Sequence, residues 1–246
     1  MDTVQVKDNH SSVFFTFGRF QPPTIGHSVL INQIADLALT NNADAYVFVS
    51  SKQNDIDKYK KSIKYKEMQK FKVFESTDLN QNPLSVDLKV KILKKMYPET
   101  PVRFINTMLC QCTTIFPIVD KLRSAGYTDI TMVVGSDRVE SFSRILPDIK
   151  LIPAGETRTV NYLNKSVKAM SGTKMREAAV AGNVVAFKAG VLMGQMTDAD
   201  AMELLNAIRT ALGYEAILRG ARRNMRTIKI KRRRRGTYKL SLEERT

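Results

Sequence analysis

The stretch FFTFGRFQPPTIGHSVLINQIADLA, residues 14–38, decides how the rest of the chain is read. β-forming residues run from Val13 to Phe17 and stop at Gly18. A polar turn containing Pro22 and Pro23 follows and ends in Gly26 and His27. Apolar residues then return at helical spacing, at Val29, Leu30, Ile34 and Leu37. This pattern predicts a buried strand, a tight turn and an amphipathic helix in immediate succession.

The same alternation continues outward. DAYVFVS (44–50), VRFIN (102–106), DITMVVG (129–135) and IKLIPA (149–154) are short apolar runs bounded by polar residues. Helical patterns lie between them, at 86–97 and 115–127. Strand and helix in repeated alternation predict an α/β fold with a doubly wound, Rossmann-like parallel sheet covered on both faces. Ligands of such sheets bind beyond the carboxyl ends of the strands. Both FGRFQPPTIGH and VVGSDR fall at those ends.

Three segments stand apart. Residues 52–81 are lysine-rich with scattered aromatics and read as an excursion from the sheet, either a solvated insertion or a lid. TDADAMELLNAIRTALG (197–213) reads as a helix, with Thr197 and Asp200 as a capping box and Gly213 at its end. Residues 217–246 hold twelve Lys or Arg against Glu243 and Glu244, so this tail carries +10 of the net +15. Its composition predicts disorder in isolation. The expected organisation is therefore a domain over 1–195, a helix over 196–216 and a basic tail over 217–246.

No apolar run is long enough to span a bilayer, and the first twelve residues lack the pattern of a signal peptide. Cys110 and Cys112 have only His10 and His27 as further soft ligands, so they read as reduced thiols of a cytoplasmic protein rather than a metal site. Composition is silent on oligomeric state.

A turn between a parallel strand and a helix offers free backbone N–H groups at the positive end of the helix, which suits phosphate. Gly18 and Gly26 allow close approach. His27 can donate a hydrogen bond to a phosphoryl oxygen; the alternative is a structural histidine. The spacing is not that of a P-loop.

GRFQPPTIGH resembles the signature of the HxGH nucleotidyltransferases, most closely the archaeal-type nicotinamide-nucleotide adenylyltransferases. NPLSVDLKVKIL (82–93), VVGSDR (133–138), SGTKMREA (171–178) and AGNVVAFKAGV (181–191) resemble further elements of that family, in the family's order. The resemblance spans roughly residues 13–192. Thr24 replaces the first histidine, as in phosphopantetheine adenylyltransferases, and Lys89 replaces an arginine. The chain has no Trp.

The resemblance implies attack of an acceptor phosphate oxygen on the α-phosphorus of a nucleoside triphosphate, with release of pyrophosphate. It implies that Thr24 and His27 hold the α- and β-phosphates, while Gly18, Arg19 and Phe20 form the phosphate-facing turn. Ser171, Thr173 and Arg176 would hold the β- and γ-phosphates, with Lys174 either assisting or simply solvated. Gly135 and Asp137 would meet the nucleoside, Asp137 being otherwise a helix N-terminal residue. Asn82 and Lys89 would meet the acceptor. Mg²⁺ would bridge the phosphates. ATP and nicotinamide mononucleotide are the first expectation for substrates. CTP or another acceptor is the alternative, as is a non-catalytic protein docked through its tail on nucleic acid or an acidic protein.

Overall fold

The computed structural model describes residue 4 and residues 10–54, 82–154, 159–162, 165–168, 171–217, 228–232 and 238–242. The reading of 52–81 therefore lies, beyond residue 54, outside the described residues.

Five strands form one all-parallel sheet: β1 Ser12–Gly18, β2 Asp44–Val49, β3 Arg103–Asn106, β4 Asp129–Gly135 and β5 Lys150–Ala154. Their order is β3-β2-β1-β4-β5. All five follow the predicted runs; β1, β2 and β4 are apolar almost throughout because both their faces are covered, while the edge strand β5 is partly exposed. The fold is Rossmann-like. Chain progression reverses direction between β1 and β4, which opens a crevice at their carboxyl ends.

Side chains alternate across β1 and divide the core in two. Phe14 joins Val47, Val49, Phe104 and Val133 on one face. Helices α1 Ser28–Thr40 and α2 Val86–Met96 cover that face. Val13 and Phe15 join Tyr46, Phe48, Ile105 and Met132 on the other face, under α3 Ile115–Ser124 and α4 Val139–Ile145. A hairpin of β6 Thr159–Tyr162 and β7 Lys165–Lys168, not expected from the sequence, leads into α5 Gly172–Val180 and α6 Val184–Val191.

The C-terminal helix α7 spans Asp198–Ala211. Thr197 and Asp200 form the expected capping box, and Gly213 turns the chain at φ 83°. Ala201, Leu204, Leu205 and Ile208 bury α7 in the same core cluster as α1 and α2.

Two expectations are corrected. Cys110 and Cys112 are joined as a disulfide rather than free. Gln111, at φ 55°, turns the chain between them and brings their Cα atoms to 5.3 Å, within bridging range. The basic tail also contains paired strands, β8 Ile228–Arg232 and β9 Tyr238–Leu242, in antiparallel register. Local alternation of apolar and polar residues gives this segment a strand pattern that its overall charge obscures.

At the amino end of the sheet, Asp44 is buried at 6 % exposure. It accepts from Arg103 Nη2 at 2.9 Å and from the Tyr127 hydroxyl at 2.5 Å. Arg103 Nη1 donates to the Tyr46 hydroxyl at 2.9 Å, and the hydroxyls of Tyr46 and Tyr127 lie 3.1 Å apart. The network ties the starts of β2 and β3 to the loop before β4.

Candidate functional site

The turn after β1 is shaped by its own residues. Phe20 adopts φ 48°, a left-handed conformation that is costly for a side chain of this size. Its ring packs on His27 with centroids 4.8 Å apart. A Cβ on Gly18 would lie 2.7 Å from that ring, so the glycine makes room for Phe20. Close approach to a ligand was the expected reason, and the neighbouring ring is the observed one. Gln21 follows with a cis bond to Pro22.

His27 closes a one-turn helix, Ile25–His27, immediately before α1. Its Nδ1 lies 3.0 Å from the Thr24 backbone nitrogen and 3.1 Å from Thr24 Oγ1. The Thr24 carbonyl lies 3.2 Å from the same nitrogen, so Nδ1 is placed both to accept from the Thr24 N–H, with the ring proton on Nε2, and in the other tautomer to donate to the carbonyl. Burial pushes the His27 pKa down from 6.5 to about 4, so the ring is neutral at pH 7. Thr24 is only 1 % exposed and stands behind His27, orienting it. It was expected to face phosphate. Gly26 lies within the one-turn helix.

A consequence follows for stability. The unfolded chain binds a proton at His27 below pH 6.5, and the folded chain only below about pH 4. The stabilisation is therefore complete above pH 6.5 and is lost as pH falls towards 4. Between pH 7 and 4.5 the protein should lose about 2 kcal/mol more than His27→Gln. Denaturant titration of both proteins at the two pH values measures the difference.

The second helix at the site begins at Ser171, whose hydroxyl accepts from Lys174 N at 3.3 Å as an N-cap. Ser171 and Lys174 are exposed and do not line the cleft that the neighbouring Gly172 and Thr173 line. Arg176 lies one turn into the helix and is only 7 % exposed. Its Nη1 donates to the Gln21 carbonyl at 2.6 Å and its Nη2 to Thr173 Oγ1 at 3.2 Å. Its Nε is buried without a partner among the described residues. Burial, and then the charge of Arg19, lower the Arg176 pKa to about 10.

These pieces meet in a cleft of about 460 Å³ at the carboxyl ends of β1 and β4. Gly18, Arg19, Phe20, Gln21 and His27 line it from the first turn, and Gly172, Thr173 and Arg176 from α5. Gly135, Asp137, Arg138 and Phe142 line it from the end of β4 onward. The cleft is cationic. Among the described residues, Arg19, Arg138 and Arg176 line it with one carboxylate, Asp137. Gly135 lacks a Cβ because the Asp137 carboxylate folds back over it, 2.6 Å from where one would stand.

Lys89 and Asn82, expected at an acceptor, do not line this cleft. Lys89 has 0 % exposure. Its ammonium donates to the carbonyls of Arg19 at 3.0 Å and Ser50 at 2.5 Å, so it braces the ends of β1 and β2 from beneath. Burial lowers its pKa to about 8. Asn82 Nδ2 donates to Asn54 Oδ1 at 3.1 Å. Sequence reasoning missed Gln21, Arg138, Gly172 and Phe142, although the first three sit inside motifs it had already singled out.

No family model and no curated protein matches the chain. A crystal structure of a protein from Vibrio parahaemolyticus, provisionally named a nicotinate-nucleotide adenylyltransferase, has a similar backbone, with TM-score 0.48 and 16 % identity over 80 % of this chain and 99 % of that one.

Proposed function

We propose that the protein is a nucleotidyltransferase of the HxGH type, with a nucleoside triphosphate, ATP first, as donor and a phosphorylated small molecule, nicotinamide mononucleotide first, as acceptor. One observation carries the reading. A neutral histidine lines the same cleft as Arg176, a buried guanidinium whose Nε–H has no partner among the described residues.

In this mechanism an acceptor phosphate oxygen forms a bond to the α-phosphorus. The bond from that phosphorus to the bridging oxygen breaks, and pyrophosphate leaves. Positioning and positive charge supply most of the catalysis. His27 Nε2–H donates to an α-phosphoryl oxygen as charge accumulates there. This step uses the tautomer in which Nδ1 accepts from the Thr24 N–H. Arg176 and the N-terminus of α5 hold the β- and γ-phosphates, and Arg19 adds charge from the facing turn. No group of three or more metal-binding side chains occurs among the described residues. A cleft with Asp137 as its one carboxylate among the described residues fits an Mg²⁺ carried mainly by triphosphate and water, which would neutralise phosphate charge when bound.

The test is pyrophosphate release from ATP, CTP, GTP or UTP paired with nicotinamide mononucleotide and other phosphorylated acceptors. Release with ATP and the mononucleotide supports the full reading. Release with another pair moves the substrate assignment, and no release with any pair overturns catalysis. Arg176→Lys should weaken ATP binding about tenfold, since a planar fork becomes a point contact. Calorimetry measures the change.

The basic tail has a proposed role of its own. Twelve cations in thirty residues favour sequence-independent binding to a nucleic acid backbone. Deleting residues 217–246 should leave nucleotidyl transfer intact and abolish salt-sensitive binding to duplex or single-stranded nucleic acid in a filter assay. Retained binding with the same salt slope would place the nucleic-acid surface on the body.

A further inference from the structure

Gln21 sits where three separate parts of the chain meet. Its side-chain amide forms a two-way pair with the backbone of Leu84: Nε2 donates to the Leu84 carbonyl at 2.9 Å, and Oε1 accepts from Leu84 N–H at 3.0 Å. Leu84 and Gln21 are buried, at 1 % and 5 % exposure. The main-chain carbonyl of Gln21 is the acceptor for Arg176 Nη1 at 2.6 Å. A Cβ on Gly172 would lie 2.7 Å from that same carbonyl, so α5 starts in direct contact with it.

The amide pair fixes the orientation of the residue from one side, and the arginine reads that orientation from the other. A buried guanidinium with one strong backbone acceptor has few alternative positions. Rotation of the Gln21 peptide would move the acceptor away from Nη1 and free Arg176 to swing about its Thr173 contact.

We infer that Gln21 is a positioning residue for Arg176, and that it couples the 82–84 segment on one side of the phosphate turn to the triphosphate-binding helix on the other. The inference deepens the nucleotidyltransferase reading and rests on it for its functional consequence. The geometric coupling itself does not need a substrate. Its physical basis is the general one that a group placed to within a fraction of an ångström needs a supporting shell of hydrogen bonds.

Gln21→Met keeps the length of the side chain and removes both bonds to Leu84. The first measurement is the Nε–H resonance of Arg176 in the ligand-free ¹⁵N-labelled protein, assigned by its loss in Arg176→Lys. Gln21→Met should shift this signal or broaden it through solvent exchange; an unchanged signal overturns the proposal. The second is ATP affinity by calorimetry in a double-mutant cycle. Gln21→Met should weaken ATP about tenfold alone and less than twofold in the Arg176→Lys background, since residues acting through one contact are not additive. An equal loss in both backgrounds assigns Gln21 a separate structural part and overturns the coupling. Should Gln21→Met lose its cooperative melt, Gln21→Glu keeps the acceptor for Leu84 N–H and carries both measurements. If the parent protein binds no ATP, the nucleotide reading fails while the resonance still decides the coupling.

Discussion

His27→Ala is expected to lower turnover by at least about a hundredfold, because one lost donor to a transition-state oxygen costs roughly 3 kcal/mol. The ring is held by Thr24 on its Nδ1 side and by Phe20 on its face. Alanine removes the whole ring and leaves the Thr24 backbone N–H without its 3.0 Å neighbour. Substrate binding should change far less than turnover, since the bond matters most as charge grows on the α-phosphoryl oxygen. The pH profile sharpens the test. The free enzyme's His27 is neutral from well below pH 6, so kcat/KM should show no inflection near 6.5 from this group. Steady-state pyrophosphate release from pH 5.5 to 8 measures both effects. Turnover equal to that of the parent protein would reduce His27 to a structural residue.

The largest stability effect is expected at the opposite end of the sheet. Asp44→Ala should destabilise the fold by about 3–5 kcal/mol, the usual cost of removing one partner of a buried ion pair. The substitution leaves Arg103 without the 2.9 Å carboxylate contact and Tyr127 without its 2.5 Å acceptor, both at the margin of the core. For a chain of this size the melting temperature should fall by roughly 10 °C. Catalytic constants below the new melting range should stay close to the parent values, because the network lies at the amino ends of the strands and the cleft at their carboxyl ends. A melt unchanged within 1 °C, as an order-of-magnitude threshold, would mean that solvent already satisfies these groups.

The sheet was legible because burial on both faces leaves little freedom in composition in the inner strands: β1, β2 and β4 are nearly continuous apolar runs. The cap of α7 was legible for a similar reason, since Thr197 accepts from the backbone N–H of Asp200 three residues on, a contact set by local spacing. Lys89 was not legible. The resemblance set it at the acceptor in place of an arginine, and only the tertiary fold shows that its amine reaches two carbonyls at strand ends. Thr24 was misplaced because its motif fixes its neighbourhood and leaves open whether it faces ligand or His27. The part played by Gln21 depends on Leu84 and Arg176, 63 and 155 residues away, and no local pattern encodes such distances.

The central place of β1 also bears on synthesis of the chain. Ser12 pairs with Asp129, which emerges 117 residues later. β2 can cover one edge of β1 early, while the other edge waits for β4. At about 5–20 residues per second, that wait lasts roughly 6–23 s on the ribosome. Throughout it, Val13–Phe17 presents unpaired backbone beside apolar side chains, the combination that recruits stray strands. Chains that stop short of residue 129 should therefore gather in inclusion bodies, and chains that run past β5 should not. A nascent polypeptide of this design gains from slow-moving neighbours or a chaperone in that interval, even though the finished sheet buries β1 at its centre.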